Sequence, residues 1–365
     1  VKIQSTALGL LKAPLRIPFK TALRTVTELE EITVQLVDDD GFVGWGSVVP
    51  TPAITGDTQE CIRADLSAIL ALLRRAQIED VWNWKSILPE GQTFSRSAQC
   101  AIDVALHDIA ARKANQPLWK WLGGYHWTVM NTNMTISVDT PAVMAQRALE
   151  AARAGFKSLK VKVGLNAELD KSRVLAIRNA IGEKISLRLD ANQGWTESEA
   201  SALIPWFAEM CGPIDFIEQP VRADALAAMS RLTRHSPIPI VADESAMTLE
   251  QAKKVLQEGS AHALSVKLIK AGGVAEARAI LDLAFAEKIP CLMSCMFEVG
   301  AGLQSSAHLA SMHPAVHWVD LDSAEFLSQL PYQGGVKFTG PEIRCSDGPG
   351  LDVNLSGSLS RSAVP

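Results

Sequence analysis

Ser158-Leu-Lys160-Val-Lys162-Val, Leu187-Arg-Leu-Asp190, Ile214-Asp-Phe-Ile-Glu218, Ile240-Val-Ala-Asp243 and Leu264-Ser-Val-Lys267 are short apolar runs that each end on charged residues. The charged ends at 162, 190, 218, 243 and 267 are spaced 24 to 28 residues apart. That is the length of one strand, one helix and two short loops. Repetition of such a unit, with polar residues at the strand ends, predicts an α/β-class (β/α) barrel seen along its catalytic rim. Apolar runs near 131–138, 158–163, 186–190, 214–218, 239–243, 263–268, 291–296 and 317–321 supply the eight strands a closed barrel needs. Helical patterns occupy gaps such as 142–154, 167–180, 197–210 and 274–287.

Upstream, residues 1–56 read as β structure, with alternation over 1–11 and 31–37 and a hairpin turn at Asp39-Asp40-Gly41 before Phe42-Val-Gly-Trp-Gly46. Pro18 to Thr25 reads as a loop carrying Lys20 and Arg24, and Pro50 to Gly56 as a second loop. Helices are expected over 58–76, capped by Thr58, and over 95–114, capped by Ser95 or Ser97. Strands followed by helices suggest a separate α+β domain over 1–120, ahead of a barrel over 121–325. The Gly-rich tail, 326–365, is expected to pack back on the first domain.

At 365 residues the chain has room for two domains. A net charge of −5 and the lack of a basic run argue against a nucleic-acid partner. No apolar stretch approaches the ~18 residues of a membrane span, and the polar residues Gln4, Ser5 and Thr6 interrupt any signal-peptide core. Six scattered cysteines without a Cys-x-x-Cys pair point to reduced thiols, and together these features to a cytoplasmic protein.

Side chains alternate along a strand, so Lys160 and Lys162 point one way and Val161 and Val163 the other. With the valines facing the helices, both lysines face inward, where each is expected to lower the pKa of the other. Asp190, Glu218 and Asp243 end three consecutive strands, and adjacent strands lie ~4.8 Å apart, so these carboxylates are expected within reach of one ion. An all-oxygen donor set suits Mg²⁺ better than zinc. Helix capping is the other use such aspartates have; three acids in register favour the metal. Lys162 on strand two and Lys267 on strand six are four apart in a ring of eight, hence opposed. A substrate carboxylate held by the metal then has a lysine on each face of its α-carbon, the arrangement for removing a proton and returning it to the other side.

These motifs, with Asp190-Ala-Asn-Gln-Gly-Trp, Glu218-Gln-Pro, Asp243-Glu-Ser and Lys267-Leu-Ile-Lys-Ala-Gly-Gly, make the sequence resemble the muconate-cycloisomerase subgroup of the enolase superfamily over nearly its whole length. The resemblance implies a (β/α)7β modified TIM barrel under an α+β capping domain, one Mg²⁺ per subunit, and Lys162 and Lys267 as acid/base catalysts assisted by Lys160. It leaves epimerisation, cycloisomerisation and dehydration open. Asp320-Leu-Asp322 would place two carboxylates on one side of strand eight, suited to an ammonium group. That pair resembles the dipeptide epimerases, which implies a dipeptide substrate. Arg24 resembles the arginine that binds the glutamate carboxylate in L-Ala-D/L-Glu epimerases, so L-Ala-D-Glu/L-Ala-L-Glu interconversion in cell-wall peptide recycling is expected. Thr135, Cys295 and Phe297 match further substrate contacts, and Glu298 follows as a supporting acid. An epimerase of another dipeptide, an N-acyl amino acid racemase and, more distantly, o-succinylbenzoate synthase are the rivals. Barrels of this kind often associate, so a homo-oligomer is a further expectation. His313 and His317 are read as structural, because Pro314 interrupts their helical spacing. Trp119, Trp121 and Trp127 are read as packing between domains.

Overall fold

The structure, a computed structural model, describes residues 1–21, 25–124 and 129–359, so Arg24 and Trp127 lie outside the described residues. Three antiparallel strands, Ile3–Lys20, Thr25–Asp38 and Val43–Val48, form the capping sheet in sequence order. The first runs further than its sequence suggests, through Pro18 and Phe19, because a break in register between Pro14 and Phe19 accommodates the prolines. The third strand carries the buried helix Arg96–Lys113, capped by Ser95. Gly44 and Gly46 make this contact feasible, since a Cβ at either would come within 2.2 Å and 1.8 Å of the carbonyls of Ala105 and Ala101. Backbone therefore lies directly on backbone, with small alanines on the helix side.

The barrel strands are Met134–Ile136, Ser158–Lys162, Ser186–Asp190, Ile214–Glu218, Ile240–Ala242, Ala263–Val266, Cys291–Ser294 and Val316–Asp320. Their pairing runs in sequence order, parallel throughout. Leu159, Val161, Leu187, Leu189 and Ile217 are buried between the strands and the surrounding helices. The bottom of the barrel is plugged by Phe216, Val241, Ala263 and Leu292, with Trp318 packed against them. Among the described residues, strands one and eight have no ladder between them. The seam is bridged instead by Asn133 N to Val319 O (3.4 Å), Leu321 N to Thr132 Oγ1 (2.9 Å) and Thr135 N to Asp322 Oδ2 (2.5 Å).

Cap and barrel are joined by buried acids. Asp103, on the cap helix, accepts from Val274 N (2.5 Å) and Ala275 N (3.3 Å), the first turn of the barrel helix Val274–Ala286. Gly273 leaves room for it, having φ +131° and no Cβ to meet the Asp103 carboxylate at 2.4 Å. Glu31 accepts from Val299 N (2.9 Å) and Gly300 N (3.0 Å) beyond strand seven. In the tail, Leu118 N bonds Gly350 O (2.9 Å) and Thr33 Oγ1 lies 2.8 Å from Ser358 Oγ, so this segment lies against the cap. Trp121 stacks on Trp82 with ring planes 6° apart. His313 bonds Asp282 (3.0 Å). Among the described residues, no helix is long and apolar enough to cross a membrane.

Candidate active site

Register carries the charged residues to one rim. Lys162 pairs with Asp190, and Asp190 with Glu218, across strands two, three and four. Asp243 and Lys267 stand one residue beyond strands five and six, and meet through their side chains. All are buried. Lys160 Nζ lies 2.7 Å from Glu218 Oε2, 2.7 Å from Asp320 Oδ2 and 3.3 Å from Asp190 Oδ2. Lys162 Nζ donates to Asp190 Oδ2 and Lys267 Nζ to Asp243 Oδ2, each at 2.6 Å.

Two further groups belong to this rim. Lys270, one turn after Lys267, donates to Asp243 O (2.8 Å) and Ser265 O (3.0 Å) and pairs with Asp243 Oδ1. The Lys267-Leu-Ile-Lys270 spacing could have revealed it, since residues three apart share a helix face. Gln219 is the second. Its Oε1 accepts from Asp243 N (3.0 Å) and Ser245 N (3.1 Å), and its left-handed backbone (φ +38°) turns the chain sharply after Glu218.

The electrostatics correct the expectation that Lys160 is lowered. Burial pulls Lys160 down, but Asp320, Glu218, Asp190 and Asp243 together hold it well above the ordinary lysine value. Burial likewise opposes Asp243 and Glu218 at Lys267, which ends raised. Lys270 is the lysine that is lowered, by burial and by Lys267 against the pull of Asp243. Burial, followed by Asp243 and Asp190, pushes Glu244 up to about 8.

The three carboxylates are also less gathered than expected. Among the described residues only Asp38, Asp39 and Asp40, at the cap hairpin, have ligand oxygens all within 4.8 Å of one another. The lysines account for the spread, because Asp190 turns to Lys162 and Lys160, Glu218 to Lys160, and Asp243 to Lys267 and Lys270. The donor set nevertheless fits a hard cation. It is all oxygen, and both Glu218 oxygens are buried without a well-directed hydrogen bond, although the Lys160 ammonium is close. That ammonium already bridges Glu218 and Asp190 as a cation would.

Above the rim is a cleft of about 530 Å³, including its open mouth, lined by Thr135, Lys160, Lys162, Lys267, Cys295, Phe297, Asp320 and Asp322. Phe19, Thr21 and Ile54 of the cap roof it, and Asn192 and Met296 complete it. Phe19 packs on Phe297 (ring centroids 4.8 Å apart), and Lys162 Nζ lies 6.0 Å from the Phe19 ring. Asp320 ends strand eight, whereas Asp322 lies in the turn beyond it, so the two aspartates do not share one side of a strand as the Asp-x-Asp spacing suggested. Glu298 does not line the cleft. It accepts from Met296 N (3.0 Å), and burial and nearby Glu31 push it up to about 7.

Residues 6–123 match the mandelate racemase / muconate lactonizing enzyme N-terminal domain, and residues 143–358 the enolase C-terminal domain-like family. The chain belongs to this family. It is 38% identical to an L-Ala-D/L-Glu epimerase of Bacillus subtilis (strain 168) over 94% of each chain. A substrate-liganded structure of the L-Ala-D/L-Glu epimerase from Bacillus subtilis superposes with a TM-score of 0.93 at 35% identity, covering 97% of this chain and 99% of that one. The dipeptide epimerase of Enterococcus faecalis V583, complexed with Mg and L-Leu-L-Tyr, superposes at 0.91 with 32% identity, over 97% of this chain and 100% of that one. Family members with solved structures thus hold Mg and dipeptides.

Proposed function

We propose that the chain is an isomerase that epimerises dipeptides, interconverting L-Ala-D-Glu and L-Ala-L-Glu. The observation that carries this reading is one rim bearing Lys162 and Lys267 from strands four apart, with the Asp320 and Asp322 carboxylates at one end of the same cleft. Asp190, Glu218 and Asp243 would hold one Mg²⁺ per subunit. When bound, that ion supplies the positive charge that offsets the build-up of negative charge on the substrate carboxylate.

The chain's own residues do the rest. One lysine, as the free amine, takes the α-proton onto Nζ, while the other, as the ammonium, returns a proton to the opposite face. Their carboxylate partners at 2.6 Å fix where each Nζ sits before reaction. Lys160 keeps its charge, tied to Glu218 and Asp320, and stands ready for a substrate carboxylate. Phe19 and Phe297 exclude water from above. Arg24, outside the described residues, is the sequence's candidate for the glutamate side-chain carboxylate. Turnover of cell-wall peptides in the cytoplasm is the setting such substrates imply.

A second reading is favoured by the apolar roof. Phe19, Ile54 and Phe297 suit a dipeptide with an apolar C-terminal side chain. Proton NMR of the protein with MgCl₂ in D₂O discriminates, using L-Ala-L-Glu beside apolar L,L-dipeptides and N-succinyl amino acids. Loss of the glutamate α-proton with appearance of L-Ala-D-Glu supports the first reading. Exchange confined to apolar dipeptides moves the specificity, and exchange only on N-succinyl amino acids makes the chain an N-acyl amino acid racemase. Silence across the panel with metal bound rules out epimerisation.

A further inference from the structure

We infer that Glu31, in the second cap strand, is a positioning residue for the cleft. With Ser47 it holds the backbone that follows barrel strand seven, and so sets where Cys295, Met296 and Phe297 stand. For its substrate the inference rests on the dipeptide reading above.

Glu30 and Glu31 are neighbours on one strand, so their side chains leave it in opposite directions. Glu30 faces outward and pairs with Lys12, whereas Glu31 is sent inward and is fully buried. A buried carboxyl group needs donors. Those it finds belong to the barrel and to its own sheet: Val299 N (2.9 Å), Gly300 N (3.0 Å) and the Ser47 hydroxyl.

The barrel needs these acceptors as much. Gly300 heads the buried helix Ala301–Met312 and has no side chain with which to cap it. The first amides of a helix have no partner inside it. Here the cap sheet supplies them, since Glu31 takes the Val299 and Gly300 amides and Ser47 Oγ accepts from Gly302 N (3.0 Å) in the first turn. An acid at this end of a helix also meets the positive pole of its dipole. The approach is close, because a Cβ on Gly300 would stand 2.7 Å from Glu31 Oε1 and 2.8 Å from Ser47 Oγ.

The same stretch of backbone is a wall of the cleft two residues earlier, at Cys295, Met296 and Phe297. Its near end is tied within the barrel, by Cys295 N to Asp320 O (3.2 Å) and Met296 N to Glu298 Oε2 (3.0 Å). Its far end is tied across to the cap, by Glu31. Phe297 lies between the two ties, with its ring against Phe19 and Phe326 (centroids 4.8 and 5.3 Å). Loss of Glu31 leaves two buried amides to find other partners, and the wall moves with them. A site formed in only a fraction of molecules binds more weakly by that fraction, and bound substrate restores it.

The test uses Glu31→Leu, Glu31→Gln and Ser47→Ala, each checked for folding by circular dichroism, with kinetics on the dipeptide that the wild-type chain epimerises. Glu31→Leu is expected to raise KM roughly 10- to 100-fold, with kcat at saturation within about threefold of wild type. Glu31→Gln keeps a carbonyl oxygen for the two amides, so its KM should stay within about fivefold of wild type. Should Glu31→Leu misfold, Ser47→Ala carries the test, with KM up about three- to tenfold and kcat unchanged. A folded Glu31→Leu enzyme with wild-type KM would make Glu31 structural only and overturn the inference, as would a Glu31→Gln enzyme impaired as badly as Glu31→Leu. Hydrogen exchange in the free protein separates this failure from that of the dipeptide reading. The Met296 amide, which does not touch Glu31, should exchange at least about tenfold faster in Glu31→Leu, or in Ser47→Ala if that variant carries the test. An unchanged rate there overturns the positioning role whatever the substrate. A wild-type chain that epimerises no dipeptide removes only the reading beneath it.

Discussion

Replacing Lys267 with methionine separates the two faces of the reaction. Lys267 Nζ donates to Asp243 Oδ2, but Lys270 still holds Asp243 through both its carbonyl and Oδ1, so Asp243 keeps a cationic partner when Lys267 is lost. Methionine matches the lysine stem in length and lacks a proton to give or take. Losing a positioned general acid or base typically costs about 10²- to 10⁴-fold, or ~3–5 kcal/mol in the barrier. Epimerisation needs both lysines, whereas α-proton exchange on one epimer needs only the lysine on its own face. Lys267→Met is therefore expected to drop interconversion by that factor while Lys162 still exchanges the α-proton of one epimer in D₂O. Lys162→Met is expected to preserve exchange of the opposite epimer. Proton NMR of each epimer, run separately with each variant, reads this directly. If Lys267→Met still interconverts the epimers within a few-fold of wild type, or both variants retain exchange of the same epimer, the two-face argument is wrong.

Asp103→Ala strips the first turn of helix Val274–Ala286 of its acceptor and leaves Trp84 Nε1 without the partner it has at 3.0 Å. Unsatisfied buried donors cost roughly 1–3 kcal/mol each, so the urea midpoint should fall clearly, and an unchanged midpoint would remove Asp103 from the cap–barrel joint. Burial and the neighbouring Asp320 push Asp322 up to about 7, so in the free protein it is protonated below that pH and ionised above it. Since an ammonium needs the ionised form, kcat/KM should fall as pH drops below about 7, and a flat profile from pH 8 to 5.5 would contradict this. Chelation with EDTA should abolish exchange, Mg²⁺ should restore it, and Mg²⁺ at about 100 times its Kd should stabilise the fold by about 2.7 kcal/mol. A melting temperature indifferent to Mg²⁺ would contradict the assignment of Asp190, Glu218 and Asp243.

The barrel was legible because its strands alternate. Leu159-Lys160-Val161-Lys162 states which way each side chain points, and the repeat of charged ends fixes the strand order. Strand three, Ser186–Asp190, falls where the pattern puts it. The rim residues were legible for the same reason. What the pattern missed lies between elements or beneath the rim. Asn133 precedes strand one and looks like a polar loop residue until Arg188 and Asp320 are seen on either side of it. Arg188 sits inside Leu187-Arg-Leu-Asp190 and is overshadowed by the aspartate two residues on. The inequality of Asp320 and Asp322 was invisible because spacing does not show where a strand stops. The direction of the Lys160 shift is not legible in the sequence, which pairs Lys160 with Lys162, its neighbour in the chain, whereas acids from strands three, four and eight surround it.

The seam between strands one and eight gives the barrel a clasp rather than a weld. Elsewhere neighbouring staves are held by main-chain ladders. Here the fastening at Thr135 N is an Asp322 carboxylate oxygen, and Asp322 also lines the cleft. A ligand that draws on Asp322 thus pulls on a stave of the barrel, and the tightness of the hoop becomes part of the binding equilibrium. Hydrogen exchange at the Thr135 amide should report it, changing with occupancy while the Leu189 amide in the laddered wall does not. Equal response at both amides would show that the clasp and the wall behave alike.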